Sequence, residues 1–351
     1  MSAKTLTQAD LTSLVSDILA ADKRVVAPSL VGIGPLEHIE YRPLHKAEDM
    51  VLDRGLPKRS IKEMFFPPTE VVFRWKQKKS DVAIDEIPTT FQQTVVIGAL
   101  PCDAAAPGIV DRVMNWDYRD ELWNGRREAT TIVAMACDGG DKSCFCTAVG
   151  LGPESSKGAD LLLTPVKAGY HVDVLTPKGE ELVSKYSKRF GEAKSADEAK
   201  KYQEAARKKV EGNLSFDAPK MRAWLEGNFE NEYWRTIALR CHGCGTCATM
   251  CPTCHCFDIV DENEGVLAGE RRRNWDTCQT GKFTLHGSGH NPRHDQNARF
   301  RQRVTHKFAI YPGKFGEILC TGCGRCQRQC PGGMDLLEIL GDIARMAGGA
   351  A

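Results

Sequence analysis

Two stretches near the end of the chain decide how the rest is read: Cys241-His-Gly-Cys244-Gly-Thr-Cys247-Ala-Thr-Met-Cys251-Pro252 and Cys320-Thr-Gly-Cys323-Gly-Arg-Cys326-Gln-Arg-Gln-Cys330-Pro331. Each is C-x2-C-x2-C-x3-C-P. Three thiolates spaced two residues apart on a tight loop can wrap three iron corners of one cubane, with the intervening glycines leaving the backbone free to turn. The fourth cysteine begins a helix beside its proline and points away, so it serves the other centre. The spacing assigns Cys241, Cys244, Cys247 and Cys330 to one [4Fe-4S] cluster, and Cys320, Cys323, Cys326 and Cys251 to a second. Structural zinc prefers four ligands in paired C-x2-C knuckles. Two complete runs, each closed by Cys-Pro, do not match that pattern.

Composition sets the setting for this chemistry. The chain has 351 residues, room for two or three domains, with 47 Lys plus Arg against 46 Asp plus Glu. A net charge of +1 gives no global basic field for nucleic acid or an anionic membrane. The longest apolar runs, 94–100 and 131–137, are far shorter than the ~18 residues of a membrane span. No basic segment followed by an apolar stretch opens the chain, so a cytoplasmic location is expected. Fifteen cysteines in such a chain point to metal or redox chemistry rather than disulfides.

The expected fold class is α+β, an N-terminal α/β domain followed by a bacterial-type two-cluster ferredoxin domain with a long insert. Residues 1–90 read as an N-terminal helix, over 8–20 with Thr7 as cap, and an irregular, proline-punctuated scaffold packing on the α/β domain. Residues 91–178 form that α/β domain, with apolar strands at 94–100, 130–136, 161–164 and 170–175 and cysteine-rich strand-end loops. A charged helical linker spans 179–235. Residues 236–351 form the ferredoxin-like domain, interrupted by the insert at 252–319.

Seven cysteines remain. Cys102 and Cys137 each follow a predicted strand, and a parallel sheet would bring both to the edge where open α/β sheets hold ligands; Cys144 and Cys146 lie in the loop just after. These four form a candidate site for a further iron–sulfur cluster or metal, against the alternative of buried small hydrophobes. Cys254, Cys256 and Cys278 lie in the insert and number three. They are candidates for a shared third cluster, with structural or cluster-shielding thiols as the alternative. Between Glu270 and Lys307 nine Lys or Arg face three Asp or Glu. That excess suggests an anionic neighbour, such as cluster sulfides, an acidic partner or a nucleotide phosphate, or else pairing with Glu270, Asp276 and Asp295.

Taken in order, Pro101-Cys102-Asp103, Cys137-x6-Cys144-Phe-Cys146, the two runs, Cys254-His-Cys256, the segment Arg271 to Cys278 and His286 to Arg293 resemble one iron–sulfur subunit family. That family includes the iron–sulfur subunit of anaerobic sulfite reductase, as well as the β subunit of cytoplasmic sulfhydrogenases, and the resemblance covers about 60–331. It implies an electron-transfer subunit of a hetero-oligomeric oxidoreductase of hydrogenase or sulfite/sulfur reductase type. Its expected partners are a flavin-containing, NAD(P)H-linked subunit plus a catalytic subunit, and its cofactors two [4Fe-4S] clusters and one further cluster or metal. No substrate chemistry, nucleic acid or membrane span is expected of the chain itself. The alternative is an enzyme with its own flavin or substrate site in the α/β domain and the His/Arg insert. No G-x-G-x-x-G follows any strand to support a dinucleotide site.

Overall fold

The computed structural model describes residues 3–53, 55–86, 90–193 and 195–348, so the outermost residues of the expected first and last segments lie outside the described residues. In chain order the elements begin with β1 (Ala3–Leu6), α1 (Gln8–Ala20), β2 (Arg24–Val31), β3 (His38–Pro43), α2 (Lys62–Phe65), β4 (Thr69–Lys78) and β5 (Asp81–Glu86). They continue through β6 (Thr94–Ala99), α3 (Pro101–Met114), α4 (Glu121–Ala129), β7 (Thr130–Met135), β8 (Leu161–Val166) and β9 (Gly169–Val174). A helical stretch follows with α5 (Pro177–Lys185), the two-residue β10 (Gly191–Glu192), α6 (Ala196–Glu211), α7 (Ala218–Gly227) and α8 (Tyr233–Ala238). The chain closes with α9 (Thr246–Thr249), β11 (Phe257–Asn263), β12 (Ala268–Trp275), α10 (Gln296–Thr305), a π-helical turn at His306–Ile310, α11 (Tyr311–Phe315), α12 (Arg325–Arg328) and α13 (Leu336–Met346). The fold class is α+β.

Eight strands form the main sheet in the order β10-β1-β9-β8-β7-β6-β2-β3. Its centre is parallel, β2 beside β6, β6 beside β7 and β7 beside β8, and its flanks are antiparallel. All six residues of β6 are buried, the continuous apolar signature of a strand covered on both faces. One face packs Val95, Ile97, Val133 and Leu163 against Leu11, Leu14, Val15 and Ile18 of α1. The other face packs Val96, Ile132 and Leu162 against Phe65, Val110 and Trp123. The Thr7 side chain caps α1 by accepting from Asp10 N at 3.0 Å, as its position before the apolar periodicity predicts.

The scaffold expected to be irregular differs. Residues 24–43 supply β2 and β3, which extend the main sheet, while β4 and β5 join the insert hairpin in a second, antiparallel sheet of order β11-β12-β4-β5. The insert is thus anchored on a hairpin some 200 residues earlier in the chain.

The ferredoxin-like segment docks on the main sheet through one buried ion pair. Arg325, set between Cys323 and Cys326, donates Nη1 and Nη2 to Asp103 at 2.6 and 2.7 Å, and its Nε to Pro57 O at 2.9 Å. The two side chains are 1% and 0% exposed. Tyr41 donates its hydroxyl to Asp103 at 2.8 Å and accepts from Leu100 N. Removing one member of a buried pair strands the other charge, at a cost of about 3–5 kcal/mol. Asp103→Ala should therefore lower the urea midpoint strongly. The double change Asp103→Ala with Arg325→Met should lose less than the two single changes added together; additive losses would show that the pair does not act as a unit.

Candidate iron–sulfur centres

The first cavity is lined by Cys241, Cys244 and Cys247 from one run together with Cys326 and Cys330 from the other, and by Gln279, Phe300 and Arg303 from the insert. The four residues expected to share one cluster line this cavity, and so does Cys326, which the spacing gives to the other cluster. Each run ends in a one-turn helix, α9 or α12, entered from a left-handed glycine, Gly245 at φ 77° or Gly324 at φ 69°. Behind the cavity Phe300, Val304, Leu336, Ile339 and Leu340 form an apolar wall that keeps water out.

Burial raises the Cys241 thiol and pushes Cys247 up to about 12. Gln296 donates Nε2 to Cys241 Sγ at 3.2 Å. Cys244 is the exposed cysteine of the group, and its thiol is lowered by Thr246, whose hydroxyl lies 3.4 Å away. Buried thiols held this high ionise only against a strong positive charge, which a polynuclear iron centre supplies. The cavity also holds two orphaned polar atoms, Arg303 Nε and Nη2, buried without a hydrogen-bond partner among the described residues. Thiolate donors, an apolar wall and unsatisfied N–H groups together fit a [4Fe-4S] cluster.

Cys251, Cys320 and Cys323 are buried, with Cys320 close enough to Cys251 and Cys326 to be raised by both. Burial pushes Cys320 up to about 12, with the Cys251 charge adding to the rise and Lys307 opposing it. Lys307 donates Nζ to Cys251 Sγ and Thr253 Oγ1, each at 3.2 Å, and to Leu319 O at 2.9 Å. Cys251 is lowered well below the ordinary thiol, first by its hydrogen bond with Cys254 and then by Lys307 against the opposing effect of burial.

At the carboxyl edge of the parallel strands, Cys102 follows β6 and Cys137 follows β7. They line a second cavity of about 1,090 Å³ together with Cys144, Cys146 and Cys323. Among the described residues no group of three or more His, Cys, Asp or Glu is arranged to hold a single metal ion. Burial raises Cys102 well above the usual range, and pushes Cys137 to about 11 and Cys146 to about 12. Arg328, bound to Asp141 at 2.6 and 2.8 Å, donates Nη2 to Cys144 Sγ at 3.0 Å. The second run lies directly on this loop: Phe145 N donates to Gly322 O at 2.8 Å. A Cβ at Gly322, with φ at 64°, would stand 2.5 Å from Cys146 N, so only glycine permits this approach.

Neither cavity is lined by Cys254, Cys256 or Cys278. Cys254 pairs instead with Cys251, and Cys256 with Cys278, whose thiol falls to about 6 chiefly through its hydrogen bond with Cys256. Gln279 donates Nε2 to Cys278 Sγ at 3.4 Å.

The basic excess of the insert resolves into separate partners rather than one patch. Arg271 bonds to Asp261 at 2.7 Å, Arg272 to Glu270 and Glu262, and buried Arg273 to Glu70 and Asp120. Of the carboxylates named from sequence, only Glu270 pairs with an arginine; Asp276 accepts from Thr277 N and Thr280, and Asp295 caps α10. Sequence reading also passed over Lys62, Gln279, Gln296, Arg303 and Lys307 as individuals. For Gln279 its place next to Cys278 was the available signal. For Arg303 and Lys307 it was their spacing of four on a helix.

Residues 240–334 match the 4Fe-4S dicluster domain family, which implies iron–sulfur clusters in this part of the chain. The chain is also 27% identical over 315 residues to sulfhydrogenase 2 subunit beta of Pyrococcus furiosus, covering 88% of this chain and 91% of that protein. Both findings support the resemblance that the cysteine motifs carry. No helix among the described residues is long and apolar enough to cross a membrane.

The crossed ligation that the spacing predicts would make the two terminal cysteines separable. Cys330→Ala should abolish the cubane EPR signal of the Cys241 side and spare the other, while Cys251→Ala should do the reverse. Loss of the same signal in both variants, read against iron and acid-labile sulfide content, would refute the crossing.

Proposed function

We propose that this chain, similar along most of its length to a sulfhydrogenase β subunit, is the iron–sulfur electron-transfer subunit of a hydrogenase-type oxidoreductase complex. One [4Fe-4S] cluster is held by Cys241, Cys244, Cys247 and Cys330, and a second by Cys320, Cys323, Cys326 and Cys251. A further iron–sulfur cluster, rather than a single metal ion, is assigned to Cys102, Cys137, Cys144 and Cys146. The observation that carries this reading is the first cavity, where cysteines of both runs meet around two unsatisfied arginine nitrogens. Such clusters supply one-electron capacity without bond-making, and the chain's own task is to hold, insulate and connect them.

The residues divide this task. The wall of Phe300, Leu336 and Ile339 excludes water, and exposed Cys244 leaves one edge of the first site open to a docking protein. Cys323 lines the strand-edge cavity and neighbours the second set of cysteines, so it adjoins both sites. This reading orders the three sites from exposed Cys244 to the open cavity at the sheet edge, with Cys326 lining the first cavity and Cys323 the second as the links between them. This is the layout of a relay between two partners. The reading assigns it, in a cytoplasmic hetero-oligomer, a flavin-containing, NAD(P)H-linked subunit plus a catalytic subunit, because one-electron centres need a separate converter to exchange with a two-electron nicotinamide.

The breadth of the second cavity favours one other reading, a flavin or small substrate bound beside the four strand-edge cysteines. Anaerobically purified chain separates the two. The relay reading expects cubane iron and sulfide, reduction by dithionite, no reduction by NADH or NADPH without a flavoprotein, and no flavin absorbance. Direct reduction by a nicotinamide, or flavin surviving stringent purification, would establish the enzyme instead.

A further inference from the structure

A buried cation must be traced to its anion, because removing it from water costs several kcal/mol unless a partner compensates. Three of the six buried Lys and Arg side chains among the described residues satisfy that accounting: Arg325 meets Asp103, Arg273 meets Glu70 and Asp120, and Arg301 meets Glu230. Arg303, Lys307 and Lys62 do not. They are 4%, 2% and 7% exposed, and among the described residues none of them forms an ion pair with a carboxylate. Lys62 is satisfied by the carbonyls of Ala248 and Cys254 and by the face of Trp275, 3.8 Å from its Nζ. Arg303 and Lys307 have less neutral company.

Both project from one side of a continuous helix, α10 running into the π-helical turn, because they are four residues apart. Arg303 lines the first cavity with Nε and Nη2 unpartnered. Cys247 from the first run and Cys326 from the second line that cavity with it, and these two sulfurs, then Cys254 and Cys251, favour its charge most. Lys307 instead touches one ligand of one run, Cys251. The helix therefore presents one permanent charge between the two sets of cysteines and a second charge to only one set.

We propose that Arg303 is the shared counter-cation of the two cubane centres and that Lys307 belongs to the Cys251 centre alone, so that this helix sets their reduction potentials. The inference rests on the relay reading and adds to it which residues tune the relay. Reducing a cluster adds one negative charge. A nearby cation stabilises the reduced state more than the oxidised one and raises the potential, most strongly where water is excluded. Arg303 therefore raises both potentials, whereas Lys307 raises that of the Cys251 centre without moving the other by a comparable amount.

The test is an EPR-monitored potentiometric titration of the full chain with its clusters in place, beside iron and acid-labile sulfide analysis. R303Q should move both cubane midpoints to more negative values by about 59 mV or more, a tenfold change in each one-electron reduction equilibrium. R303K should recover most of that shift, and K307M should move only the signal that Cys251→Ala abolishes. With iron unchanged, a shift of one signal or of neither in R303Q overturns the shared role. If R303Q loses iron, R303K decides: full iron in R303K supports a need for positive charge, while loss in both variants assigns Arg303 to shape alone and overturns the proposal. Wild-type protein without a pair of cubane signals would refute the relay reading itself, and the tuning role with it.

Discussion

The relation between the two halves of the molecule depends on the Arg325–Asp103 pair. Each partner is a neighbour of cysteines: Asp103 directly follows Cys102, and Arg325 sits between Cys323 and Cys326. A bidentate guanidinium–carboxylate contact fixes orientation as well as distance, and here it is sealed from water and braced by Tyr41 and the Pro57 carbonyl. Locking these two residues locks the strand-edge cysteines against the second ferredoxin run. The close approach of Gly322 to Cys146 is the backbone expression of the same docking. Electron transfer between neighbouring centres needs a short, reproducible gap. A rigid pair supplies that better than a mobile apolar contact.

Whatever was local in the chain was legible in the sequence. The cysteine runs carry their meaning in their spacing. Strands β6 to β9 announce themselves as apolar runs, and α1 as a capped periodic face. Strand β2 was hidden because Pro28 lies inside it, and the structure shows how that proline is tolerated. The parallel ladder with β6 runs only through Arg24, Val25 and Val26, so Pro28 falls beyond the bonds it could not make. Strand β3 carries Glu40 and Arg42 at the sheet margin and lacks the run of apolar residues that marks a central strand. The insert hairpin was illegible for a different reason, since its partner β4 is remote in sequence.

The same remoteness explains the charge of the insert. Counting acids within Glu270 to Lys307 leaves an excess of basic residues, yet Arg273 is answered by Glu70 and Asp120 and Arg301 by Glu230, all from outside the segment. A local count cannot see such partners. The excess pointed to an anionic neighbour, and only the fold tells which basic residues, Arg303 and Lys307, form no ion pair with a carboxylate among the described residues.

That division separates two uses of buried positive charge. Arg273 and Arg325 are paired with carboxylates, so their net field is small and their contribution is attachment: one ties the insert to β4 and α4, the other ties the ferredoxin runs to the main sheet. Arg303 and Lys307 form no ion pair with a carboxylate among the described residues, and the groups that favour their charge are cysteine sulfurs. A carboxylate beside either would neutralise it and cancel its effect on a reducible centre. The thiolates themselves are the compensating anions, which makes the stability of the charged helix and the ionisation of the cysteines one problem with one solution. Burial raises the thiols, the cations oppose that rise as bound iron would, and the cations are in turn stabilised by the thiolates they help to form. Neither group is well placed without the other, so on the proposed reading the orphaned nitrogens of Arg303 belong to a cluster site rather than to a packing defect.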